Sequence, residues 1–175
     1  MEPSCNEVLA FHEAGHAVVA WKLRIRILAV GISIKEGKGY CHDALRNRTL
    51  TGEMIWSDDR VWARKKTLIL LAGAAAERVY YELLEQHDLP LCSSDDQMKL
   101  DELCCGAFGS LGPEASQWIK QREDETRHIV EDEDTWVRIC RLAQRLLDQS
   151  VLSGDEAEWA IRGKHGIVWD LPNLL

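Results

Sequence analysis

In His12-Glu13-Ala14-Gly15-His16, two imidazoles stand four residues apart with a carboxylate next to the first. On a helix, residues four apart differ by about 40° in direction and by one turn in height, so both imidazoles point at one ion. Glu13 is turned by about 100° from His12 and by about 60° from His16, which sets its carboxylate beside such an ion and not on it. This is how a zinc hydrolase holds its metal through two histidines and places a general base next to it. The string is short enough to arise by chance, so its surroundings decide its meaning.

From Val8 to Trp21 the only ionisable side chains are His12, Glu13 and His16. A helix apolar almost all round is a buried helix, and burying two imidazoles and a carboxylate without partners costs several kcal/mol. A bound cation satisfies all three. The competing arrangement is a pair of hydrogen-bonded core histidines with Glu13 ion-paired to Arg24 or Arg78. Gly15 inside the helix costs roughly 1 kcal/mol relative to alanine and so points to close packing or access. Catalytic zinc takes three protein ligands and keeps one open position. Candidates for the third are Glu77, where the apolar run Leu68 to Ala76 ends, and Asp95 or Asp96 further on. No HxxGxxH extension follows His16, so the third ligand is not a histidine of that type.

These residues need elements to position them. Ser4 with Glu7 three places later is a capping box, and it predicts a helix over Cys5 to Lys22. Leu23 to Ile34 reads as a strand that ends in the turn Lys35-Glu36-Gly37-Lys38-Gly39, with Tyr40 to His42 as its returning partner. Ser57-Asp58-Asp59 caps a second helix reaching about Leu84, and Leu89-Pro90 breaks the chain after it. Ser93 or Ser94, with two aspartates following, starts a third helix toward Phe108. After Gly109, Gly112 and Pro113, a charged helical region runs from Glu114 to Ser150. Its acidic stretch between Arg122 and Asp134 reads as a solvated face. A short helix around Asp155 to Arg162 and an irregular tail follow. The expected class is mainly α with a small β-sheet (α+β). It forms a single domain over residues 1–175, with a metal-site core over 1–110 and a C-terminal helical region over 111–175.

A formal charge of −8 disfavours nucleic acid and anionic membrane surfaces as partners, since both reward clustered Lys and Arg. The six cysteines Cys5, Cys41, Cys92, Cys104, Cys105 and Cys140 include no CxxC pair, which excludes a zinc ribbon or thioredoxin motif and fits reduced thiols. The first residues lack the basic start and apolar stretch of a signal peptide. The apolar run Thr67 to Ala76 is about half the ~20 residues a membrane-crossing helix needs. A cytoplasmic protein without membrane insertion is expected.

Four stretches, Phe11 to Val19, Gly39-Tyr40, Leu71 to Glu77 and Ser93 to Asp96, resemble in order the peptidase domain of the FtsH-type zinc metalloproteases, ATP-dependent membrane proteases of bacteria and organelles. The likeness spans Leu9 to Phe108 and fades beyond. It implies a helical peptidase fold with a zincin-like HExxH helix and Zn²⁺ on His12, His16 and Asp96, with Asp95 in the position before the ligand. It also implies Glu77 orienting a ligand histidine, Glu13 as general base, and peptides or unfolded proteins as substrates. The strand Ile27 to Ile34, at a sheet edge beside the metal, would hold an extended peptide by strand addition. The sequence departs from the family at Ala72 and Ala74, where the family has glycine and arginine, and at Cys92-Ser93, where it has Gly-Ala. These changes leave the ligands intact and alter the substrate groove. There is no GxxxxGK[ST] loop and no membrane span in the sequence, so the expected peptidase is ATP-independent and does no threading by itself. A homo-oligomer and a separate partner protein both remain open. The alternative is a catalytically inactive metal-binding relative acting as a regulatory or protein-interaction module.

Overall fold

A computed structural model describes residues 4–33, 36–45, 57–85 and 94–163. In chain order its elements are helix α1 (Cys5–Lys22), strands β1 (Ile27–Ser33) and β2 (Lys38–Asp43), helices α2 (Ser57–Leu83), α3 (Ser94–Phe108), α4 (Pro113–Glu131) and α5 (Glu133–Asp148), strand β3 (Val151–Ser153) and helix α6 (Gly154–Arg162). The class is mainly helical α+β. Ile34 and Lys35 at the end of the expected strand, the breaker Leu89-Pro90, Cys92, the Ser93 cap and the tail lie outside the described residues.

α1 starts where the capping box predicts. The Ser4 hydroxyl accepts from the Glu7 amide, and the Glu7 carboxylate accepts from the Ser4 amide at 2.7 Å. Every residue from Val8 to Ala20 is buried, because α2, α5 and the sheet each cover a side of this helix. The core around it joins Val18 and Leu68 to Ile139, Leu142, Leu152 and Ile161, so elements after residue 111 supply much of its wall. Gly15 marks the tightest contact. A Cβ there would sit 2.5 Å from the Ala72 carbonyl oxygen and 2.8 Å from Ala76 Cβ. Alanine would gain roughly 1 kcal/mol of helix propensity, whereas overpacking against backbone costs roughly 1–3 kcal/mol. Gly15→Ala is therefore expected to lower the urea midpoint of unfolding, and a midpoint above the parent's would show that α1 and α2 separate at no cost.

The expected strand from Leu23 starts late, at Ile27, because the intervening residues close α1. Arg24 adopts φ 58, its amide bonds the Trp21 carbonyl, and the Ile25 amide bonds the Ala20 carbonyl. This is a Schellman closure with arginine at the left-handed position that glycine usually marks, which is why the sequence concealed it. The sheet is antiparallel in the order β2-β1-β3. β1 is thus its central strand and not the edge strand that the resemblance implied: Gly31 pairs with Tyr40 on one side and Val151 on the other. Val151 to Ser153 is too short a run to read as a strand from sequence.

The charged region after Pro113 is two helices. Asp132 is exposed, as the solvated-face reading expects, and it also caps α5, accepting from the Thr135 amide at 3.1 Å and from Lys22 Nζ at 3.0 Å. α3 docks through Leu100, Leu103 and Cys104 onto Trp62, Ala63 and Leu70 of α2 and Ala115 of α4. Among the described residues, no helix is long and apolar enough to cross a membrane.

Candidate metal centre

His12 and His16 face α2 from the centre of α1, and α3 brings Asp96 to them. Asp96 shares a helical face with Leu100, Leu103 and Ala107, so the contacts that dock α3 also aim this carboxylate inward. Asp95, one position away, is exposed and takes no part. The two Nε2 atoms lie 2.9 Å apart, and Asp96 Oδ2 is 3.0 Å from that of His12 and 2.9 Å from that of His16. Both histidines are buried, and the Asp96 side chain is 13 % exposed.

The opposite ring nitrogens determine what these atoms are. His16 Nδ1 lies 2.6 Å from the Ile69 carbonyl oxygen, which only accepts, so Nδ1–H donates and Nε2 keeps its lone pair. His12 Nδ1–H donates in the same way to Glu77 Oε1 at 2.5 Å. With neutral imidazoles three lone-pair atoms converge, an arrangement that calls for positive charge among them, a proton on His12 Nε2 or a metal ion. The neighbouring carboxylates favour that charge. Burial pulls the His12 imidazole down, but the Asp96 and Glu77 carboxylates outweigh it and push the imidazole up to about 10. Burial likewise works against the Asp96 charge, yet His12 and His16 hold its carboxyl well below the usual carboxylate range.

A two-nitrogen, one-oxygen donor set suits zinc. With separations of 2.9 to 3.0 Å, the triangle leaves a point roughly 2.1 Å from all three atoms, the zinc–ligand distance. His12, His16 and Asp96 form a group able to hold a metal among the described residues. The residues present fit the ion.

Glu13 is buried beside them. Burial raises its carboxyl, and the His16 and His12 charges oppose that rise. It lies directly beneath β2, where a Cβ at Gly39 would overlap its carboxylate. The alternative partners do not serve, since Arg24 and Arg78 are exposed and neither is among the charges acting most on Glu13. Glu77 is fully buried and holds His12, as a residue that orients a ligand does.

Three contributors escaped the sequence. The Ile69 carbonyl is one. Gly73 is another: a Cβ there would sit 2.6 Å from both His12 Nε2 and His16 Nε2, so only glycine leaves the donors room. Its signal was available, because a glycine in the middle of an apolar helix carries the same roughly 1 kcal/mol cost that singled out Gly15. Lys99, whose Nζ lies 2.9 Å from Asp96 Oδ1, is the third. Asp96 also borders a groove of about 340 Å³ between α2, α3 and α4, with Leu70, Ala74, Ala75 and Leu100 as apolar lining and Arg78 and Arg127 exposed at its sides. Ala74 is half-buried in this lining. No protein-family model matches the chain, and no curated protein does.

Proposed function

We propose that this protein is a zinc-dependent peptidase similar to the FtsH-type peptidase domain, acting without ATP on peptides or unfolded protein segments. The observation that carries the proposal is the convergence of two imidazole nitrogens and a carboxylate oxygen within 3.0 Å of one another, with Glu13 buried beside them. Zinc held by His12, His16 and Asp96 would supply a Lewis acid that polarises a carbonyl and makes water acidic enough to attack near neutral pH.

The chain's own residues do the rest. Glu77 and the Ile69 carbonyl keep the imidazoles turned toward the ion. Glu13 takes a proton from the attacking water and returns it to the departing amine. Its burial raises its proton affinity, which suits a group that must both take and give a proton. Among the described residues no strand pairs with the outer edge of β2, and that edge offers its amides and carbonyls to an extended peptide. The free thiols of Cys5, Cys41, Cys104, Cys105 and Cys140 support a cytoplasmic setting.

Metal analysis joined to a peptide digest tests this. One zinc per chain is expected, with cleavage of an unfolded substrate lost on chelation and restored by added zinc. Protein that takes up no stoichiometric metal when zinc is supplied sinks the proposal. Full metal with no cleavage of any peptide would point to the regulatory module instead.

A further inference from the structure

Each of the three donors is held by a second partner, and one of those partners differs in kind from the others. Glu77 and the Ile69 carbonyl hold the histidines from inside the core. Asp96 is held by Lys99, whose side chain is 53 % exposed. The hold is local, since Lys99 stands three residues after Asp96 on α3 and needs no other element to form it.

A carboxylate has two equivalent oxygens and an easily turned terminal torsion, so it can meet an ion through one oxygen or through both. Here the two oxygens are in different surroundings. Oδ2 faces both Nε2 atoms, while Oδ1 accepts from Lys99 Nζ at 2.9 Å. An oxygen engaged by an ammonium is not free to swing toward the histidines. We propose that Lys99 is a positioning residue of this centre, its ammonium restricting Asp96 to a single donor oxygen and so keeping coordination positions open for water and substrate. The inference rests on the metal reading given above.

Removing the ammonium has two opposed effects. It relieves repulsion of the incoming ion. If the ion displaces one proton, this is a single net charge roughly 5 Å away, which favours binding by about fourfold in a water-like dielectric and by about 10²-fold in the effective dielectric of a protein surface. It also frees a metal ligand, and losing a group that orients a ligand typically costs about 10–100-fold in affinity. The two effects are of similar size and oppose each other in affinity, whereas only the second changes how many oxygens Asp96 gives the ion, so the coordination number is the quantity that Lys99→Met is expected to alter.

Affinity alone would not separate positioning from a general structural role, so the test uses cobalt(II), whose visible absorption is intense in four-coordinate sites and weak at higher coordination. The wild-type chain, Lys99→Met and Lys99→Arg are loaded with cobalt, and spectra and affinities are compared. The expected result is an intense band for wild type, a weaker band for Lys99→Met, and recovery of the intense band in Lys99→Arg, which keeps a cationic donor three residues after Asp96. A Lys99→Met protein with the wild-type band overturns the inference and leaves the metal reading standing. A wild-type chain that takes up no cobalt and no zinc overturns both. Because Lys99 lies at the surface, circular dichroism should match in all three proteins, and a collapsed Lys99→Met spectrum would count for a structural role and against positioning.

Discussion

Replacing Glu13 by glutamine is expected to leave zinc bound and to lower kcat/KM on an unfolded peptide substrate by about 10²–10⁴-fold, the usual contribution of a positioned proton-transfer group. Glutamine keeps the shape of the side chain under Gly39 and leaves His12, His16 and Asp96 untouched, so packing and metal content should hold. It cannot take a proton. The variant removes a carboxylate that is buried at real cost, so its thermal midpoint is expected to stay level or rise, a pattern that separates lost chemistry from lost structure. Zinc per chain is measured on the same samples. A fully metallated Glu13→Gln protein that cleaves at the wild-type rate would remove Glu13 from the reaction.

The second large effect concerns Asp96, the proposed third ligand. Asp96→Ala is expected to weaken zinc binding by about 10²–10³-fold, one ligand's share of the ~10–16 kcal/mol that a protein zinc site provides. Asp95→Ala is expected to change it by less than about twofold, since an exposed side chain away from the site acts on the ion only through screened charge. Competition against a chelating dye measures both. Asp96→Ala protein that binds zinc as tightly as its parent would place the third ligand elsewhere, and a large loss in Asp95→Ala would mean that α3 is turned from the position described here.

The choice between these two acids shows where sequence reading stopped. Asp95 and Asp96 are the same residue type at the start of the same helix, and their chemistry does not distinguish them. The resemblance pointed to Asp96, and the helical phase of Leu100, Leu103 and Ala107 gives the physical reason, because only Asp96 falls on the face that docks onto α2. Glu77 was visible as an acid at the end of an apolar run, but its bond to His12 joins residues 65 apart in the chain. No local pattern encodes such a pairing.

What the sequence by itself determined is local. The capping box, the apolar run and the four-residue spacing of His12 and His16 all follow from the 3.6-residue period of α1, and that period is written in neighbouring residues. Burial of the HExxH helix followed from its composition alone. Tertiary structure decided which groups meet that helix. It set Asp96 and Glu77 on the imidazoles and made Gly73 the residue that leaves them space. It also made β1 the central strand by adding β3, a strand too short to announce itself. These outcomes depend on how α2, α3 and the sheet pack around α1, and packing is settled by contacts between residues far apart in the chain, which leave no periodic trace in either partner.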